Sequence, residues 1–167
     1  MIFRQAELID IKEIMEIIKD AQKYLKKNNI DQWQNNYPNY KTIENDIKSK
    51  NFYVIEKNEE IAACAALIFG EDSTYKRIYK GQWLNDNYYA VIHRMAAAKK
   101  YRGKGIASIL VEKLEKLAAA DDINTIRIDT HQKNLSMQKL IKKNNYIYCG
   151  IIYTESNSKR LAYQKNF

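Results

Sequence analysis

At 167 residues and 19.7 kDa the chain has the size of one domain, spanning 1–167, and at this length about 70% of the unfolded surface can be buried in one layered core. A hydrophobic content of 46%, a charged content of 29%, one proline and five glycines exclude linkers and low-complexity tails. The net charge of +8 comes mostly from scattered lysines, Lys99-Lys100 and Lys142-Lys143 among them, which read as solvated faces, so no nucleic-acid partner is expected.

Arg4, Glu7 and Asp10 come almost at once, so no signal peptide is expected. A first strand is expected at Met1–Ala6, where the pattern alternates. From Leu8 to Asn28 a helical stripe follows, carried by Leu8, Ile11, Ile14/Met15, Ile18, Ala21/Gln22 and Leu25. The segment Ile30–Tyr40 is aromatic and polar and reads as an irregular loop. A short helix is expected over Thr42–Lys50 with Thr42 as its N-cap. Phe52–Glu56, a turn at Lys57–Glu59 and Glu60–Phe69 predict a hairpin. The run Ile61–Phe69 is the longest apolar one and far shorter than the roughly 18 residues of a membrane helix, so no membrane partner is expected.

Gly70–Asn87 is long and aromatic, and loops of that length are usually functional. With Trp33 and Tyr37 from the earlier loop, Tyr79 and Trp83 are candidates to line a substrate pocket; the other reading is that both loops cap the core or a dimer interface. Tyr89–Ala97 predicts a strand, Gly105–Ala120 a helix, Thr125–Thr130 a strand, Leu135–Asn144 a helix, and Tyr146–Ile152 and Lys159–Gln164 two last strands. Cys64 and Cys149 lie in apolar strand-like runs, where buried structural thiols are expected rather than metal ligands, in keeping with a reducing, cytoplasmic compartment.

Lys100–Ala107 (KYRGKGIA) joins the strand ending at Ala97 to the helix starting at Gly105. Two glycines let backbone approach a ligand, and a helix N-terminus attracts anions, so the junction suits a phosphate-bearing ligand. It is neither a P-loop, for want of Gly-Lys-Ser/Thr, nor a dinucleotide fingerprint, since Ser108 stands where the third glycine belongs. It does fit Arg/Gln-x-x-Gly-x-Gly/Ala through Arg102, Gly105 and Ala107. The motif, the strand before it, and Asn134 opening a helix after Thr125–Thr130 resemble the Gcn5-related N-acetyltransferase (GNAT) superfamily. The motifs span about residues 88–152, and His93-Arg94-Met95-Ala96 and Asp129-Thr130-His131 look like those of a bacterial subgroup.

The resemblance implies a single α/β domain with a mixed, mostly antiparallel central sheet and helices on both faces. It implies acetyl-CoA as cosubstrate and direct acetyl transfer to a primary amine, with a small molecule favoured over a protein or peptide acceptor. Met95, Ala96 and Ala97 are then expected beside the pantetheine arm, their amides polarising the thioester carbonyl. Arg102, Gly103, Lys104, Gly105, Ile106, Ala107 and Ser108 are expected to hold the pyrophosphate, and Asn134 to assist the cofactor arm or to cap its helix. A homodimer through the C-terminal strands would be ordinary for such a fold.

The catalytic groups are less plain. From Asn134, the family pattern Asn-x-x-Ala-x-x-Leu-Tyr falls on Met137, Leu140 and Ile141, so the usual tyrosine is absent. Tyr148 is a candidate substitute, whereas Tyr146 reads as core. Histidine is the residue type that changes charge near neutral pH, so His93 and His131 are candidates to relay the amine proton. His93 also reads as a core imidazole, and His131 as a residue that fixes the helix start. Asp129 is a possible base, or a partner for Arg127 or His131. The alternative function is a non-catalytic acyl-CoA-binding module.

Overall fold

Residues 1–167 are all described by a computed structural model, and their contacts divide the chain into two units, 1–67 with 93–113 and 68–92 with 114–167. In the first, β1 (Ile2–Gln5) pairs antiparallel with β2 (Phe52–Lys57), which turns back as β3 (Glu60–Phe69). Phe52–Ile55 and Ile61–Leu67 are buried without a break, so these strands are apolar on both faces rather than alternating. The helix α1 (Ile11–Lys27) turns Ile11, Ile14, Met15, Ile17, Ile18 and Leu25 inward, and α2 (Tyr40–Lys48) does the same with Ile43 and Ile47.

Two helix starts differ from the expected ones, each because a polar side chain competes for backbone amides. The first helix does not begin at Leu8. Leu8–Asp10 forms a 3₁₀ turn, closed by the Glu7 amide donating to Asp10 Oδ2 at 2.7 Å, and Leu8 stays exposed. Thr42 is not the cap of α2 but its third residue. Asn39 Oδ1 accepts from the Thr42 amide at 3.0 Å, and the Asn39 amide reaches back to Thr42 Oγ1 at 3.4 Å, a reciprocal box that starts the helix two residues early.

Arg4 grips Asp10 through Nη1 at 2.7 Å and Nη2 at 2.9 Å, and Glu56 through Nε at 3.1 Å. The hydrogen bonds from Arg4 hold the Asp10 carboxyl below its ordinary 3.8, burial opposing and the Glu7 amide assisting. A carboxylate with a depressed folded pKa stabilises the fold above the unfolded value and loses that effect as pH falls through the folded one. The melting temperature should therefore drop as pH is lowered below about 4. Asp10→Asn should start lower at neutral pH and show a flatter acid limb in melts followed by circular dichroism.

In the second unit, β5 (Thr125–Thr130) pairs antiparallel with β7 (Lys159–Asn166), and β7 with β6 (Ile147–Tyr153), across a bulge at Tyr148/Gly150. The helix α4 (Leu135–Lys143) connects β5 to β6. Ile126, Ile128, Ile141, Ile152 and Tyr163 are among the buried residues of this unit, and Tyr146 is buried as expected. Two elements pass through both residue ranges, β4 (Ala90–Ala97) and the helix α3 (Ile106–Ala120); Ala90 and Val91 pair in parallel with Ile126 and Arg127. Strand order is β1-β2-β3-β4-β5-β7-β6, a mostly antiparallel seven-stranded sheet with four helices, as the α/β reading requires.

The segment 70–87 is less of a loop than its lack of periodicity suggests. Ser73–Tyr75 forms a 3₁₀ turn capped by Asp72. Tyr75, fully buried, packs with Tyr89, Val91, Ile152 and Ala162, and Trp83 stacks on Tyr75 at 5.8 Å. Tyr79 and Ile151 exchange two backbone hydrogen bonds of 2.8 Å, which occupies groups of the end strand β6. Both cysteines are buried free thiols, and burial pushes the Cys64 thiol up to about 12. No helix is long and apolar enough to cross a membrane.

Candidate functional site

The loop between β4 and α3 is held by its flanks and left open in its middle. Ala98 donates to Ala62 O at 3.0 Å, and Tyr101, buried, donates its hydroxyl to Lys57 O at 3.3 Å. Arg102 Nε donates to Ala97 O at 3.0 Å and its guanidinium lies 5.9 Å from the Tyr24 ring. Its Nη2 is buried with no hydrogen-bond partner. A guanidinium N–H in that condition is costly unless an acceptor completes it.

Gly103 and Gly105 take the left-handed conformation, φ +73° and +81°, and a Cβ built on either would meet nothing within 4 Å. The Ile109 amide closes back on the loop, onto Gly105 O at 3.2 Å. The amides of Ile106 and Ala107 stand at the helix start, where the first amides have no intrahelical acceptor. Ile106, Leu110 and Leu114 anchor the other face of the helix in the core. The loop thus brings together positive charge, helix-start amides and bare backbone.

Just before the loop, β4 is distorted at Arg94, whose φ is +52°. Arg94 Nε and Nη2 fork onto Asp46 Oδ2 and Oδ1 at 2.6 and 3.0 Å, and Nη1 donates to the Tyr37 hydroxyl at 2.9 Å. Burial raises the Asp46 carboxyl above its ordinary range, and the charges of Arg94 and of nearby His93 pull the other way. His93 is half-buried, as are Met95 and Ala97, while Ala96 is buried. Trp33 is half-buried with φ +58°, and Asn35 and Asn36 share that left-handed conformation. A cavity of about 480 Å³ lies between α1 and this loop, lined by residues including Met15, Lys19, Gln22, Asn36 and Pro38. Asp46 was not legible as a partner of Arg94; its only sequence signal is a carboxylate beside the buried face of α2.

In the second unit, Asn134 is a buried N-cap of α4, its Oδ1 accepting from the Met137 amide at 3.2 Å and from Ser136 Oγ at 3.1 Å. His131 Nδ1 accepts from the Lys133 amide at 3.0 Å and His131 O from the Asn134 amide at 2.9 Å, so His131 shapes the turn into α4. Tyr148 is exposed, edge-on to Tyr163 at 5.6 Å, and Tyr79 is exposed, edge-on to Tyr153 at 5.3 Å. Trp83 lies 4.1 Å from the Arg127 guanidinium, and its indole N–H donates to Tyr75 O at 3.1 Å.

Asp129 accepts from the Tyr75 hydroxyl at 2.5 Å and has Arg160 at 3.9 Å. Arg127 is drawn off into a sandwich between Trp83 and Tyr89, whose ring is 3.9 Å away. Burial pushes the Tyr75 hydroxyl well above its ordinary value, and the Asp129 charge adds to that. Ile141, in the place of the family tyrosine, is buried.

A sequence profile described as the acetyltransferase (GNAT) family matches residues 12–146. Among solved structures, a GNAT-family acetyltransferase from Streptococcus agalactiae is 35% identical, with a TM-score of 0.91 over 99% of this chain and 95% of that one. A ribosomal-protein-alanine N-acetyltransferase from Brucella melitensis has the same fold at 15% identity, with a TM-score of 0.71 over 100% of both chains. Proteins of curated function gave no match.

Proposed function

Because the chain belongs to the GNAT acetyltransferase family, whose members use an acyl-CoA cosubstrate, we propose that it moves the acetyl group of acetyl-CoA directly to a small primary amine. Bound acetyl-CoA would supply an acyl group activated as a thioester. The residues present fit the cosubstrate. The carrying observation is Arg102, whose buried, unpartnered Nη2 belongs to a loop of left-handed glycines at a helix start.

In this reading Arg102, Gly103, Lys104, Gly105, Ile106, Ala107 and Ser108 bind the pyrophosphate, and the amides of Met95, Ala96 and Ala97 bind the acyl carbonyl oxygen. Asn134 serves the cofactor arm as well as its helix. An amine of ordinary pKa must lose a proton before it attacks, and an imidazole nitrogen of His93 or His131 is assigned to take it. Tyr148 is assigned to protonate the leaving sulfur, since Ile141 cannot. On the acceptor side, Trp33 and Tyr37 are assigned to the amine; their segment contributes Asn36 and Pro38 to a cavity of about 480 Å³, a volume that suits a compact amine. Tyr79 and Trp83 keep packing roles in their own unit.

Calorimetric titration with acetyl-CoA tests the reading. Wild type should bind, and Arg102→Ala should bind about 10- to 100-fold more weakly, the worth of one charge-assisted hydrogen bond. No heat with wild type would overturn it. Buried Ile141 also favours a second reading, a non-catalytic acyl-CoA-binding module, which tight binding without turnover on any amine of a panel would select.

A further inference from the structure

The strand β4 does not run straight into the phosphate loop. At Arg94 its backbone turns left-handed, φ +52°, a conformation that costs free energy for any residue with a Cβ. Such a residue persists in mid-strand only where its surroundings over-determine it. Here the guanidinium spends three N–H groups on two residues, both oxygens of Asp46 and the hydroxyl of Tyr37. The side chains of Arg94 and Asp46 are only 10% and 13% exposed, so water competes little with the fork.

The acceptors are themselves held in place. Asp46 is on α2, whose start is locked by the Asn39–Thr42 box. Tyr37 belongs to the loop before it, and Gln22 of α1 donates to Tyr37 O at 2.9 Å and Pro38 O at 3.0 Å. One clasp therefore joins the 33–37 segment, α2 and β4. The residue after Arg94 is Met95, first of the three whose amides are assigned above to the acyl carbonyl.

We propose that Arg94 is a positioning residue: its clasp on Asp46 and Tyr37 holds the left-handed turn of β4 and so aims the amides of Met95–Ala97 at the acyl oxygen. The inference rests on the acetyl-CoA reading above. It also ties that aim to the segment carrying Trp33 and Tyr37. A pair with only a structural role would lower stability when broken and leave the response of those amides to the acetyl group unchanged.

The test compares CoA with acetyl-CoA by nitrogen-15 NMR of the full chain, because the difference between the two ligands reads the acetyl group alone. Wild type should show acetyl-specific shifts at Met95–Ala97. Arg94→Lys keeps the charge and loses the fork, and should cut those differences by about threefold or more, with the 103–108 shifts and the CoA dissociation constant within about threefold of wild type. Tyr37→Phe, which removes one hydroxyl, should fall between. Acetyl-specific shifts of wild-type size in both variants would overturn the proposal while leaving acetyl-CoA binding intact. Wild type that binds neither ligand would overturn the functional reading and this inference with it. Should Arg94→Lys fail to fold, Tyr37→Phe decides alone: a wild-type acetyl response in it sinks the proposal.

Discussion

Gly81→Ala should destabilise the protein by about 3 kcal/mol, at the upper end of overpacking costs, and lower its melting temperature by about 6–12 °C. A Cβ at Gly81 would stand 1.9 Å from the carbonyl oxygen of Cys149, 2.9 Å from its carbonyl carbon and 3.1 Å from the Cα of Gly150. All three are backbone atoms of the β6 bulge, so no rotamer change relieves the clash. Gly150 is pinned from the other side: it has φ +150°, and a Cβ there would lie 2.7 Å from Tyr79 O. The pair of glycines lets residues 79–81 lie flat on the end strand, where Tyr79 and Ile151 exchange their hydrogen bonds.

The chain's cheapest escape from the clash is to release 79–81 locally, which has its own signature. Hydrogen exchange at the Tyr79 and Ile151 amides should accelerate together in the alanine variant. A melting temperature within about 2 °C of wild type, with slow exchange at both amides, would show that 79–81 does not need to approach β6 so closely.

Gly105→Trp should do the opposite, leaving the fold nearly intact and removing the cosubstrate. At φ +81° any side chain carries backbone strain of about 1–2 kcal/mol, a drop of about 2–8 °C in melting temperature. Nothing lies within 4 Å of the added Cβ, so no packing penalty joins it. That same open space is where the loop amides face a phosphate in the proposed reading, and an indole fills it. Acetyl-CoA binding should weaken by at least about 100-fold, since the close approach of anion to backbone is lost along with its hydrogen bonds. Wild-type affinity in this variant would place the pyrophosphate elsewhere. The two variants are therefore expected to separate: Gly81→Ala through the protein's own backbone, Gly105→Trp through the cosubstrate the loop is proposed to bind.

Much of this was legible before any coordinates. The strand Thr125–Thr130 appears with the expected bounds, and β4, α3 and α4 fall within a residue of theirs at either end. The strand-to-helix loop at residues 100–107 was readable as a glycine-rich turn because its signals, glycines, cations and a helix start, are packed into eight residues. Asn134 was readable as a cap for the same reason. The errors at Leu8 and Thr42 were also local, and arose where a neighbouring Asp or Asn outbid the periodic pattern for the same amides.

What the sequence by itself determined is therefore the order of the elements, the family and the glycine-rich loop between β4 and α3, all carried by periodicity and short motifs. The tertiary structure decided what lies far apart in the chain. Arg94 finds Asp46 across 48 residues and Tyr75 finds Asp129 across 54. Trp83 goes to Arg127 and Tyr75, and Gly81 meets Cys149 only after β6 has paired. Hydrogen bonding and sterics act over a few ångströms, so the pairing of strands and the seating of loops choose each partner; residue spacing records only contacts made within one turn, one strand or one cap.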